Sequence, residues 1–183
     1  RGPMGTQSNI TIRGGTFQQV LIILDGVRLN DPLTGHFNSY IPISPAEIDR
    51  IEILKGASSA VYGTEAVGGV VNIISKTFAA QKGKQQQRLN GQVTAGDYGL
   101  RNAQAGFSWQ KNKTAISGGV LQNVADGQPL RGTNGFFNLT TVSVSAKQHI
   151  SENSSIAYRG AYDDRNFNAQ NFYTNFLTDS ATE

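Results

Sequence analysis

The stretch Ile51–Lys76, IEILKGASSAVYGTEAVGGVVNIISK, decides how the chain divides. Two apolar, β-type runs, Ile51–Leu54 and Val70–Ile74, flank a small-residue segment holding Gly56, Gly63, Gly68 and Gly69. Glycine tolerates positive φ and close backbone approach, so the segment predicts tight turns around a short helical piece. The pattern stops at Thr77, and the chain beyond it has another character. Residues 1–77 are therefore expected to form one unit, 78–87 a polar linker, and 88–183 a second unit.

Working back from that stretch, the first unit reads as a small α+β globule. Asn9–Arg13 alternates like a short strand closed by Gly14-Gly15. Val20–Leu24 is continuously apolar, which predicts a strand buried on both faces. Asp25-Gly26 is a hairpin turn signal, with Val27–Leu29 returning. Ser44-Pro45-Ala46-Glu47 reads as a helix start: Ser44 is the N-cap, Pro45 takes the first position, and Glu47 stands where a capping box wants it.

Working forward, the second unit shows repeated period-two alternation. Ala103, Ala105, Phe107 and Trp109 oppose Gln104, Ser108 and Gln110; Ile156, Tyr158, Gly160 and Tyr162 oppose Ser155, Arg159 and Asp163. Strands are predicted over 88–96, 100–110, 114–122, 136–148 and 154–165. A soluble β-sandwich would also alternate, but its inner face should be large and aliphatic, whereas here the apolar face is Ala, Gly, Val and aromatics. Strands of about 10 residues, with short turns at one rim and long loops at the other, match a transmembrane barrel. The connections at 111–113 and 149–153 are short, and those at 123–135 and 166–183 are long. The short 97–99 connection is an exception on the long-loop rim. About five strands cannot close, since the smallest such barrels have about eight, so further strands are expected to pair with these.

Composition narrows the function classes. The 183 residues carry no cysteine, which removes disulfides, thiolate metal sites and Cys nucleophiles. A net charge of +3, with scattered Lys and Arg, lacks the basic stripe of a nucleic-acid binder. No apolar run reaches the ~18–20 residues of a membrane helix, which leaves a barrel possible. Neither a Ser/His/Asp arrangement nor paired carboxylates stand at catalytic spacing, so enzyme activity is not expected. Gly56–Gly63 is not followed by Lys-Ser/Thr and is not a phosphate loop. The chain starts without Met, as a processed product or an excerpt would.

Several motifs occur in one order: Ile12-Arg13-Gly14, Asp25-Gly26-Val27, Arg50-Ile51-Glu52, Lys55-Gly56, Tyr62-Gly63 and Gly68-Gly69-Val70-Val71-Asn72-Ile73-Ile74. Over residues 9–76 the chain thereby resembles the C-terminal half of the plug domain of TonB-dependent outer-membrane receptors, with a cobalamin-transporter-like subgroup among the candidates. The resemblance implies an α+β plug domain joined to antiparallel transmembrane β-barrel strands, 22 in the whole receptor. It implies a bacterial outer-membrane location, with the TonB box upstream. Partners would be TonB, the remaining barrel chain, outer-membrane lipids and a small-molecule nutrient, with a surface lipoprotein as a further candidate. The implied activity is TonB-dependent uptake of a corrinoid, haem or ferric chelate without a cofactor; the alternative is a non-transporting receptor or adhesin that binds a protein or glycan and signals.

The resemblance also points to sites. The polar loop 30–40 corresponds to a plug-apex loop, so Asp31, Thr34, His36, Phe37, Asn38 and Tyr40 are candidate ligand contacts, against a loop that only shapes the vestibule. Phe167, Asn171 and Tyr173 combine aromatic surface with an amide and are candidates from an outer loop. His36 has no second metal ligand at useful spacing, which favours hydrogen bonding or stacking, and His149 reads as solvated. Asp126 beside Arg131 offers too little negative charge for calcium. Arg13 and Arg50 match plug arginines that pair with barrel glutamates as a latch; local pairing with Glu47, Glu52 or Glu65 is the competing expectation.

Overall fold

The computed structural model describes residues 9–30, 40–56, 59–130 and 133–168. The N-terminal domain is a mixed four-stranded sheet, β1 (Val20–Leu24), β2 (Val27–Arg28), β3 (Ile48–Lys55) and β4 (Gly69–Ser75), in the order β2-β1-β4-β3. All five β1 side chains are buried, as the unbroken apolar run predicts. Val20, Ile22 and Leu24 pack with Ile43, Val71 and Ile73 on one face; Leu21 and Ile23 pack with Ala66 and Val70 on the other. Each buried aliphatic side chain contributes about 1.5–3 kcal/mol, so β1 and β4 carry most of this domain's apolar stabilisation.

The turn after β1 forms as its residues dictate. Asp25 and Gly26 both take positive φ, 50° and 87°, the geometry of a tight hairpin turn. The glycine-rich stretch holds a single helical turn, α1 (Ser59–Tyr62), and a 3₁₀ turn at Thr64–Ala66. Gly68 and Gly69 bring β4 close to its neighbours: a Cβ on Gly69 would lie 2.4 Å from the Leu54 carbonyl oxygen. Asn9–Arg13, in contrast, is not a strand. Arg13 and Gly14 take positive φ and Gly15 N–H donates to the Ile12 carbonyl, so this stretch is a turn.

The second unit is a five-stranded antiparallel sheet built from β5 (Gln85–Ala95), β6 (Arg101–Lys111), β7 (Thr114–Ala125), β10 (Phe137–His149) and β11 (Ser155–Phe167). A small hairpin, β8 (Pro129–Leu130) with β9 (Thr133–Asn134), rises from the β7–β10 connection. β5 begins at Gln85, three residues before the predicted start, because Gln85–Gln87 pair with Lys111–Trp109. Lys111 pairs with Thr114, leaving a two-residue turn in which Asn112 takes φ 56°. At the same rim Gly83 N–H donates to the Asn112 carbonyl, fixing where the chain enters the sheet.

The alternation sorts the faces. Leu89, Val93, Phe107, Val120, Val142, Val144, Ile156, Tyr158 and Tyr162 all stand exposed on the outer face. Ser117, Thr141, Ser143 and Ser145 are buried on the inner face, against the N-terminal domain. Apolar outside and hydroxyl inside is the reverse of a soluble domain and the arrangement of a membrane barrel wall.

Candidate functional site

Among the described residues, two polar ties and one aromatic contact join the N-terminal domain to the wall. The first is built on Glu47. Ser44–Glu47 forms one 3₁₀ turn (Pro45–Glu47), with Ser44 Oγ accepting from Ala46 N–H at 3.4 Å. The expected capping box does not form. The Ser44 N–H donates instead to Ser143 Oγ at 2.9 Å, and the Glu47 carboxylate leaves the turn altogether. That carboxylate is 0% exposed and accepts from three wall hydroxyls: Ser117 at 3.1 Å, Ser145 at 3.3 Å, and Ser143. Thr77, where the chain leaves the N-terminal domain, closes the group through Ser117 (2.7 Å) and Ser145 (2.9 Å).

The floor under this turn is glycine. Gly106 on β6 and Gly119 on β7 are register partners. A Cβ at Gly106 would stand 2.5 Å from Ala46 Cβ, and one at Gly119 would stand 2.6 Å from Ser44 Cβ. Glycine inside a strand marks a close approach, and here what approaches is the turn, through the short side chains of Ala46 and Ser44. Lys76 donates from Nζ to the Ala46 carbonyl at 2.6 Å; burial, and then the charge of Arg88, hold its pKa below the usual lysine value.

A second polar tie joins Asp25 of the hairpin turn to Arg159 of β11 at 2.6 Å. Asp25 is held for this by Ser75, whose N–H and Oγ donate at 2.8 and 2.7 Å.

The aromatic contact lies at the far end of the wall. Tyr40 meets Phe167 edge to face, ring centroids 6.3 Å apart, beside Ala125, Phe137 and Leu100. The Arg165 guanidinium lies 4.1 Å above the Tyr40 ring and is itself fixed by Asp163 at 2.5 Å. Two candidate ligand residues from distant parts of the sequence are thus brought together, with Phe167 only 2% exposed. Their mutual packing holds Tyr40 against the end of β11. Asp31, Thr34, His36, Phe37, Asn38, Asn171 and Tyr173 lie outside the described residues. Among the described residues, no three His, Asp or Glu side chains gather as a metal site would require.

Of the two candidate latch arginines, Arg50 pairs locally, with Glu52 at 2.8 Å, one of the three local partners expected, and with Asp49 at 3.0 Å, which is not among them. Arg13 is exposed and lies near Gly56. Among the described residues, the polar ties between domains run through Ser44, Glu47, Thr77 and Asp25, which the sequence did not single out as latches. The available signals were the serines at alternate inward positions 143 and 145 and the interior strand glycines 106 and 119.

A small mixed-sheet domain seated by polar contacts on the hydroxyl-lined face of an outwardly apolar strand wall defines a plugged outer-membrane β-barrel. Residues 1–70 match the family described as TonB-dependent Receptor Plug Domain. A vitamin B12 transporter BtuB of Vibrio vulnificus is 32% identical over 121 residues, 66% of this chain and 18% of that protein. BtuB of Photobacterium profundum is 29% identical over 174 residues, 89% of this chain and 27% of that protein. Among solved structures, the copper transporter OprC superposes with a TM-score of 0.73 at 17% identity, covering 91% of this chain and 26% of that one. The Pseudomonas aeruginosa ferripyoverdine receptor superposes with a TM-score of 0.64 at 14% identity, covering 92% and 22%. The chain belongs to the TonB-dependent receptors of the bacterial outer membrane, and comprises plug and barrel-wall strands. It spans about a fifth to a quarter of the length of these relatives.

Proposed function

We propose that this chain is the plug and wall portion of an active transporter that takes a scarce nutrient through the outer membrane under TonB control. The observation that carries the reading is the nature of the plug's seat: apart from the apolar contact of Tyr40 with Phe167 at the wall's far end, the described ties between plug and wall, around Glu47 and Asp25, are hydrogen bonds and an ion pair. Such contacts hold a closed state yet exchange readily with water, which suits a plug that must yield and return. Ligand would bind at the apex, where the 31–40 loop ends at Tyr40 beside β11. The proposed role calls for no bond-making chemistry in this chain.

A corrinoid is the first ligand to test, because two relatives named as vitamin B12 transporters align across both plug and wall. The complete receptor should be expressed in cells that lack their own corrinoid receptor. Binding and accumulation of radiolabelled cyanocobalamin are then compared with and without TonB. Binding in both backgrounds, with accumulation only when TonB is present, is the expected result. Binding without TonB-dependent accumulation would overturn the transporter reading in favour of a signalling receptor. Failure to bind cyanocobalamin, with uptake of haemin or a ferric siderophore, would move the ligand within the nutrient class.

A further inference from the structure

We infer that the turn Ser44–Glu47 is the seating key of the plug, and that its socket on β6, β7 and β10 holds the barrel shut along this arc of the wall. The inference deepens the proposed transport role and rests on it for its purpose, though its test needs neither ligand nor TonB.

The socket fits one shape and one chemistry. Gly106 and Gly119 leave room for the turn's Ala46 and Ser44 and for no larger wall residue. Ser44 binds the wall on both sides, donating from its N–H to Ser143 Oγ and from its Oγ to the Val120 carbonyl at 3.3 Å. Ser117, Ser143 and Ser145 then converge on one carboxylate. Hydrogen bonds to an ionised acceptor are about twice as strong as neutral ones, so a carboxylate among hydroxyls is a firm contact. None of the wall groups bonded to it is charged. When the turn lifts away, the serines can bond to water, and the charge that must be resolvated travels with the plug. A guanidinium socket would instead strand a second charge on the wall.

The seat also lies at a junction. Glu47 immediately precedes β3, and Thr77, bonded to Ser117 and Ser145, lies two residues after the end of β4. The Lys76 N–H donates to the Glu47 carbonyl at 2.9 Å, so both chain ends are clamped at one point. The key therefore fixes the sheet's orientation in the lumen as well as its contact with the wall.

The test is single-channel conductance of the complete receptor in planar lipid bilayers. The unmodified protein should remain closed, and Glu47→Ala and Ser143→Ala should each raise the frequency of openings at least tenfold. Gly119→Ala should act alike, since its Cβ meets Ser44. Combining Glu47→Ala with the triple Ser117→Ala, Ser143→Ala, Ser145→Ala change should open the barrel by much less than the product of the separate effects, because the two share the Glu47 contact and differ only by the serines' bonds to Ser44 and Thr77. Val61→Ser, at a site 80% exposed, should stay closed. Folding is checked by the mobility of unboiled protein on gels; if Glu47→Ala fails that check, Ser143→Ala carries the test. Closure unchanged in Glu47→Ala and Ser143→Ala, or effects that multiply between the two sides, would overturn the inference. An unmodified receptor that conducts freely would instead overturn the plugged-barrel reading itself.

Discussion

Asp25 combines a backbone role with an electrostatic one. It adopts φ 50° in the hairpin turn, where Asp and Asn are tolerated far better than Ala, and it accepts from Ser75 and Arg159. Asp25→Asn keeps the conformation and loses the charge, so it should cost about 1 kcal/mol. Asp25→Ala should cost about 3 kcal/mol, because it adds backbone strain and, unlike Asn, leaves Arg159 and Ser75 with no side-chain acceptor at all. Urea titration of the complete receptor in detergent would rank the two; equal losses would show that the turn does not depend on the residue's conformation. Glu52 offers a smaller effect. Hydrogen bonds from Arg50, and then Asn72, hold its carboxyl below the usual value near 4.5. A carboxyl depressed on folding adds stability above its ordinary pKa, and that stability disappears as pH falls through the folded value. Solvent exposure keeps the effect small. Glu52→Gln should flatten the acid limb of the stability–pH curve, measured between pH 3 and 6, while leaving neutral stability nearly unchanged. At this scale the sequence was least legible. Glu47 has a complete local explanation as a capping-box residue, and nothing nearby signals hydroxyl partners 70 to 98 positions away. Tyr40 is singled out by the resemblance and the composition of its loop and Phe167 by composition, and their contact with each other depends on how β11 ends, which no local pattern encodes.

Among the elements, β1 and β4 were the most legible, because an unbroken aliphatic run leaves little alternative to a doubly covered strand. Ile22 is wholly buried between β4 and Ile43, and Ile22→Ala should cost about 3–4 kcal/mol. Thermal unfolding of the complete receptor would report this as a separate, earlier plug transition; a shift no larger than that of Val61→Ser would contradict the assigned core. The wall strands were equally clear, since period-two alternation over ten or more residues has one reading. Their ends were less so: β5 and β7 each run three residues past the predicted limits, because pairing with β6 continues after alternation has faded. Asn9–Arg13 failed for the opposite reason. Its alternation is genuine, but Arg13-Gly14 turns the chain before a partner strand is met.

For the molecule as a whole, face assignment decides stability. Val144 lies outward near the middle of β10, with Ser143 and Ser145 inward beside it. Val144→Arg should destabilise the folded receptor in lipid vesicles by about 2–4 kcal/mol, the depth-dependent cost of a cation on the lipid face. Gln104→Arg, inward on β6, should be nearly neutral. Urea unfolding in vesicles separates them, and a reversed order would invert the wall. Topology adds a consequence for assembly. Neighbouring wall strands meet through hairpins, whereas β1 finds β4 in parallel, Val20 beside Gly69, only after the hairpin, the apex loop and β3 have been laid down. Closing that longer loop is the slower event. The hypothesis is that newly made receptor threads its hairpins into the bilayer first and completes the cork inside a nearly finished cylinder. Pulse-labelled amide exchange would then protect β6 and β7 before β1, and the opposite order would mean that the cork is finished before its container.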